Sequence, residues 1–180
     1  MLEVIDNFHW YAIHVRPNYE RMVSRRLHEL GIETYLPSNC SKPHPMSKKV
    51  KSAPLFFPGY IFALLNLTRG PRLYTVPGII KILGTQARPT PLSTEEMTAI
   101  RAISASSLPV ETLSHFHSGD SIRLNDGPLA GVSGTYVSST ANSKFIVSLP
   151  LMQRALAVSV PSEWVLAASN ISFIQTSVAV

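Results

Sequence analysis

The sequence predicts an α+β protein, with a front part that mixes helices and strands and a small β-barrel behind it. Two observations carry this prediction. The first 37 residues show the pattern strand, helix, strand. Beyond residue 118, five short runs rich in β-branched residues recur about every ten residues, separated by Gly, Asp-Gly and Asn-Ser turns.

The front part begins with a strand over Trp10–Arg16, because polar and apolar residues alternate there and put Tyr11, Ile13 and Val15 on one face. Helical spacing predicts a helix over Asn18–Leu30, with Asn18 as N-cap and Gly31 ending it. A short strand over Ile32–Pro37 follows. The outer face of the helix is expected to carry Glu20, Arg21, Arg25 and His28.

The most apolar stretch of the chain is Pro54–Leu67 (PLFFPGYIFALLNL), and we expect it to be the central strand. Alternation predicts one face with Phe57, Ile61, Ala63 and Leu65, and the other with Phe56, Tyr60, Phe62 and Leu64. Pro58 and Gly59 indicate an edge, a bulge or a close approach. Either both faces are ordinary core, or the aromatic face receives a partner.

A further strand is predicted over Ile79–Leu83, and a helix begins after Ser93, which forms a capping box with Glu96 and precedes an apolar stripe of Met97, Ile100 and Ile103. Composition then divides the chain into a domain over residues 1–104, a flexible linker over 105–118, a barrel over 119–168 and an unassigned tail over 169–180. The predicted barrel strands are Ser121–Leu124, Gly134–Ser138, Lys144–Leu149, Ala155–Val160 and Trp164–Val165.

The net charge of +5 and the pI of about 9.6 favour an anionic partner such as nucleic acid. The basic segment Asn39–Ser52 is either a solvated hairpin tip or an arm that follows phosphates. The single cysteine fits a reducing, cytoplasmic setting, and the N-terminus does not have the pattern of a signal peptide. No apolar run reaches about 18 residues, so we expect no membrane span. We also expect a monomer.

The sequence contains no clear set of catalytic or metal-binding residues. Cys40 and His44 are close in sequence but have no orienting carboxylate, and His115 and His117 with Asp120 lack a fourth metal ligand. We therefore expect no enzyme activity, no metal and no cofactor.

Four segments, in this order, resemble the NusG family of transcription elongation factors and its specialised paralogues such as RfaH. They are WYAIHVRPNYE (Trp10–Glu20), PLFFPGYIF (Pro54–Phe62), VPGIIKILG (Val76–Gly84) and GDSIRLNDGPLAGVSG (Gly119–Gly134). The resemblance implies an N-terminal NGN domain, an antiparallel sheet flanked by helices, and a C-terminal five-stranded KOW barrel. It implies an elongation or antitermination factor whose NGN domain binds the clamp helices of RNA polymerase.

Carried onto this chain, the resemblance places the aromatic polymerase-binding cleft at Trp10, His14, Phe57, Pro58, Tyr60 and Ile82. It places contacts with the non-template strand or upstream duplex at Arg16, Arg21, Arg25, Arg69, Arg72 and Lys81. In the KOW domain, a loop that recruits ribosomal protein S10 or Rho corresponds to Leu151, Met152 and Arg154.

Specialised paralogues read a non-template base with a His-Thr pair, which Thr68–Arg72 lacks. Prolines and β-branched residues disfavour long helices. We therefore expect the C-terminal domain to be a stable barrel that does not switch to a helical hairpin. An alternative function is a KOW-type RNA-binding module without polymerase contact. The sequence leaves open whether the chain is a general or an operon-specific factor.

Overall fold

A computed structural model describes residues 7–38, 53–69, 72–85, 88–106, 108–113, 120–137, 144–161 and 164. The basic segment 39–52, the tail 169–180 and Cys40, His44, His115 and His117 lie outside these ranges. The N-terminal sheet has the antiparallel order β2-β3-β1-β4. Its strands are β1 (His9–Val15), β2 (Thr34–Tyr35), β3 (Tyr60–Leu65) and β4 (Ile79–Ile82).

The second, C-terminal sheet is antiparallel throughout, with the order β7-β11-β10-β9-β8. Its strands are β7 (Val110–Leu113), β8 (Asp120–Arg123), β9 (Ser133–Val137), β10 (Lys144–Leu149) and β11 (Arg154–Ser159). A two-stranded ribbon lies between the sheets in sequence, formed by β5 (Gly84–Thr85) and β6 (Arg88–Pro89). In the described part of the chain the helices are α1 (Glu20–Glu29) and α2 (Thr94–Ala105), and four 3₁₀ turns cover Leu67–Arg69, Arg72–Thr75, Gly127–Leu129 and Pro150–Met152.

Both faces of the N-terminal sheet are covered, as the apolar alternation of its central strand predicts. On one face, Ile13 of β1 and Ile61 of β3 pack with Val23 and Leu27 of α1 in a cluster that we call the α1 cluster. On the other face, Phe62 packs in a cluster that includes the apolar side of α2. Strand β4 is an edge strand of the described sheet, and its residues Ile80 and Lys81 are exposed.

The start of α1 differs from the prediction. Asn18 has a left-handed backbone (φ +67°), which asparagine tolerates better than most residues, and the N-cap is Tyr19, without a side-chain cap bond. Gly31 (φ +76°) follows the C-cap as expected. Glu20, predicted on the outer face, is buried instead at 6% exposure. The N-cap therefore lies one residue later than predicted, and one acidic side chain turns inward.

The start of α2 confirms the prediction. Ser93 Oγ accepts a hydrogen bond from the Glu96 amide at 3.1 Å, and the Ser93 amide donates to Glu96 Oε2 at 2.7 Å. Met97, Ile100 and Ile103 are buried. The reciprocal pair satisfies two amides that the first turn of a helix leaves without partners.

The C-terminal sheet contains five strands, but one of them comes from the segment expected to be a flexible linker. Strand β7 lies within 105–118 and pairs with β11, whereas Trp164 is not in a strand. The Ser- and Pro-rich composition of this segment is typical of a linker. In addition, β7 has only two half-buried apolar residues, Val110 and Leu113, on either side of an exposed pair, so its sequence shows little strand pattern.

The two sheets share one cluster of buried side chains. It contains Phe62 and Ile100 from the N-terminal part and Leu129, Phe145 and Val158 from the C-terminal part. The 3₁₀ turn Gly127–Leu129 contacts α2. The α2 face of the N-terminal sheet is therefore closed partly by the C-terminal sheet.

Candidate functional site

The chain enters β3 through a tight turn that we call the aromatic turn, residues Phe57–Tyr60. The Tyr60 amide donates to the Phe57 carbonyl at 3.1 Å, which closes the turn. Pro58 lies at the second position and Gly59, with φ +83°, at the third, the arrangement of a type II turn. Any other residue at Gly59 would adopt this backbone at a cost.

Two rings stack beside the aromatic turn. His14 of β1 and Tyr60 of β3 are register partners, and their ring centroids lie 5.1 Å apart at an interplanar angle of 22°. Both side chains are half-buried, and Pro58 beside them is exposed. The pair forms a flat surface that combines apolar area with polar edges, which is typical of residues at protein interfaces.

Phe57 lies under this surface rather than on it. It is 3% exposed and packs edge-on against Phe56 and Phe62, with centroids 6.5 and 5.8 Å away. The prediction that placed Phe57 with Ile61 is wrong, because β3 begins only at Tyr60 and the turn breaks the alternation. Phe57 supports the turn from the core side.

Trp10 contributes a second aromatic surface on the same side of β1. Its ring is half-buried, and the Arg101 guanidinium carbon lies 4.9 Å from its centroid and 5.7 Å from that of Tyr35. Arg101 also contacts Glu33 at 3.5 Å. Sequence reasoning missed Arg101 and Tyr35, because no local pattern joins positions so far apart in the chain.

A cavity of about 350 Å³ opens at the aromatic turn. Its lining combines the turn with two residues from the C-terminal sheet, and consists of Leu55, Phe56, Phe57, Pro58, Tyr60, Thr112 and Arg154. The Thr112 hydroxyl donates to the Phe56 carbonyl at 2.8 Å. The C-terminal sheet thus borders the aromatic turn directly.

Two predicted site residues lie elsewhere. Ile82 pairs with Ile13 and packs against the α1 cluster, so it faces the opposite side of the sheet from His14 and Tyr60. Met152, which the resemblance places in a partner-binding loop, is only 5% exposed, because the 3₁₀ turn Pro150–Met152 directs it into the shared cluster. Its neighbours Leu151 and Arg154 are half-buried.

The predicted nucleic-acid contacts fall on several elements. Arg16, Arg25 and Lys81 are exposed, and Arg69 and Arg72 belong to the two 3₁₀ turns that follow β3. Arg21 is exposed, and its guanidinium donates to the Ala53 carbonyl at 2.9 Å. Since Arg21 and Arg25 are four residues apart on α1, they share one helix face.

Tyr11 is a buried titratable group on the other face of the sheet from the aromatic turn. Burial raises the pKa of the Tyr11 phenol above its ordinary value, on the α1 side of the sheet. Within the described ranges, no group of three or more His, Cys, Asp and Glu residues is placed to hold a metal ion. Neither helix of the described chain is long and apolar enough to cross a membrane.

Comparison with known proteins places this architecture in a class. A family model described as transcription termination factor nusG matches residues 8–101, more than half of the chain. The transcription termination/antitermination protein NusG of Vibrio cholerae is 29% identical over 164 residues, covering 83% of this chain and 90% of the relative. Its counterpart in Escherichia coli K12 is 28% identical over 165 residues, with the same coverage.

A solved structure agrees in fold. The chain in "Domain interaction in Thermotoga maritima NusG" has a TM-score of 0.50 and 19% identity, covering 88% of this chain and 96% of that one. The family model and the two relatives place the chain in the class of transcription termination and antitermination factors. The chain belongs to the NusG family.

Proposed function

We propose that this protein binds the clamp helices of RNA polymerase through the aromatic surface of its N-terminal sheet and acts as an elongation or antitermination factor. The observation that carries the proposal is the stacked, half-buried His14–Tyr60 pair beside the exposed Pro58. Trp10 extends this surface and Phe57 supports it from below. Ile82 lies on the opposite face and is left out of the proposed contact.

The chemistry of the surface suits a helical partner. A coiled coil presents rows of side chains separated by grooves, and flat aromatic rings fill such grooves with little loss of side-chain entropy. Aromatic residues in partly desolvated positions also dominate the affinity of many interfaces. Tyr60 and His14 are therefore the proposed centre of the contact.

The C-terminal sheet limits access to this surface. Thr112 and Arg154 line the same cavity as Pro58 and Tyr60. The hydrogen bond from the Thr112 hydroxyl to the Phe56 carbonyl joins the C-terminal sheet to the start of the aromatic turn. A coiled coil that covers the whole aromatic turn therefore meets these two side chains.

We also propose that the C-terminal sheet is the KOW barrel and recruits ribosomal protein S10 or Rho through the segment around Leu151 and Arg154. The half-buried exposure of these two residues supports a contact of modest size. Met152 belongs to the core of this unit and holds the loop in place.

Nucleic acid is the proposed second partner in the elongation complex. Exposed Arg16, Arg25 and Lys81 provide donors for phosphates of the non-template strand or upstream duplex, and we assign Arg21, Arg69 and Arg72 to the same role. Such contacts position a protein on DNA without reading its sequence, and they weaken with salt.

We further propose that the protein is a monomer in the cytoplasm, and that it acts by binding its partners and not by catalysis.

The test is retention on an immobilised fragment that carries the clamp-helix coiled coil. Wild-type protein is expected to bind, and Tyr60→Ala and His14→Ala are expected to lose most of the binding. Tyr74→Ala is the matched control, because Tyr74 is 69% exposed and outside the proposed surface. Equal retention of all variants would overturn the site. Binding to bare RNA without retention on the fragment would support the RNA-binding alternative.

A further inference from the structure

Glu20 makes a buried contact that a helix-surface glutamate would not make. Its side chain leaves the first turn of α1, is 6% exposed, and accepts a hydrogen bond from the Gly59 amide through Oε1 at 2.7 Å. The two residues are 39 positions apart in sequence. The bond therefore joins α1 to the aromatic turn.

Gly59 is held through both of its backbone polar groups. Its amide donates to Glu20, and its carbonyl accepts from the Val15 amide at 2.8 Å. Val15 follows His14, and Tyr60 follows Gly59, so the anchored glycine lies next to both members of the stacked pair. A bond to a carboxylate is stronger than a neutral one, so the bond from the Gly59 amide to Glu20 is expected to be the stronger of the two.

A buried amide without a partner is costly, so removal of the carboxylate favours other turn conformations. In a type II turn the peptide before the glycine can rotate with small changes elsewhere, and the bond from Glu20 opposes this rotation. A rotated turn moves Pro58 and changes the start of β3 at Tyr60.

We infer that Glu20 is a positioning residue that holds Pro58, Tyr60 and His14 in the arrangement that receives the polymerase helices. This inference deepens the proposed function and depends on it. Glu20 touches no partner itself and acts through the Gly59 amide. Apparent affinity falls with the fraction of molecules in the competent conformation. If the turn keeps its shape about a tenth of the time without the bond, the Kd rises about tenfold.

The experiment measures the Kd of full-length protein for a labelled clamp-helix fragment, by fluorescence anisotropy at a temperature where every variant is folded. Glu20→Ala is expected to raise the Kd about tenfold, while Glu20→Gln, whose amide oxygen accepts the same bond, is expected to stay within about threefold. Val23→Ala is the matched control, since Val23 is buried on the same helix in the α1 cluster, which includes no residue of the aromatic turn.

Hydrogen exchange of the Gly59 amide gives a second measurement that needs no partner. Protection is expected in the wild type, in Glu20→Gln and in Val23→Ala, and its loss in Glu20→Ala. Unchanged binding by Glu20→Ala, or equal weakening by Val23→Ala, would overturn the inference and leave the proposed function standing. Failure of the wild-type protein to bind, with Gly59 still protected, would overturn the proposed function and the inference with it.

Discussion

Replacement of Leu129 by alanine tests whether the two sheets unfold as one unit. Leu129 is fully buried in the cluster shared by both sheets, within the 3₁₀ turn that contacts α2. Truncation of a buried leucine costs about 2 to 5 kcal/mol, since it removes apolar contacts and leaves a cavity. With a urea dependence of about 2 kcal/mol per molar, a loss of 3 kcal/mol moves the unfolding midpoint by about 1.5 M.

The two tryptophans allow each half to be followed separately. Trp10 lies in β1, and Trp164 lies against Gly127 in the C-terminal half. Trp164→Phe leaves Trp10 as the reporter, and Trp10→Phe leaves Trp164. In both backgrounds, we expect urea unfolding to give the same midpoint before the substitution, and Leu129→Ala to lower both midpoints together.

The matched control is Leu30→Ala, because Leu30 is 49% exposed and its truncation is expected to change the free energy of unfolding by less than about 0.5 kcal/mol. If Leu129→Ala lowers the midpoint reported by Trp164 and leaves that of Trp10 unchanged, the two halves are independent. The reasoning from a shared cluster would then be refuted.

Three further outcomes are expected. Ser93→Ala removes the cap of α2 and is expected to cost about 1 kcal/mol, or about 2 to 4 °C in Tm for a chain of this size, by scanning calorimetry. Gly134→Ala would place a methyl group 2.6 Å from both the Ile146 carbonyl oxygen and the Phe145 ring, so its Tm should fall well below that of Ser93→Ala. Because burial raises the pKa of Tyr11 above 10.0, the unfolded chain loses the phenolic proton first, and stability present below pH 10 is lost as pH rises through the folded pKa.

Each of these outcomes has a contradicting result. An unchanged Tm in Ser93→Ala would show that the capping box contributes nothing, and a wild-type Tm in Gly134→Ala would show that β9 and β10 are not so closely packed. For the phenol, urea unfolding between pH 9 and 12 should show a smaller alkaline loss in Tyr11→Phe than in the wild type. Equal losses would contradict the assignment to Tyr11.

Sequence patterns predicted the local elements well, because their causes are local. The capping box at Ser93 lies within four residues, and the alternation over β1 is visible directly in WYAIHV. Phe57 was placed on the wrong face, because a turn inside an apolar run restarts the alternation and leaves little trace in hydropathy. Strand β7 was missed because two apolar residues among polar ones show no clear period.

The candidate site was predictable only in part. The resemblance pointed to Trp10, His14 and Tyr60, and the structure places all three side chains half-buried on β1 and β3. It did not show that Glu20 turns inward, because the partner of this carboxylate is a backbone amide, which the identities of side chains do not reveal. Arg101 near Trp10 was hidden in the same way by long sequence separation.

The edge strand β4 affects the solubility of the protein. Within the described chain it is the last strand of its sheet, and its exposed Ile80 is followed at once by Lys81. An open strand edge with an exposed apolar side chain can template aggregation, and a lysine there opposes it by charge repulsion between copies. Lys81 is therefore expected to keep the protein soluble, independently of the DNA contact proposed for it. The Lys81→Val variant should precipitate at concentrations where the wild type stays dissolved.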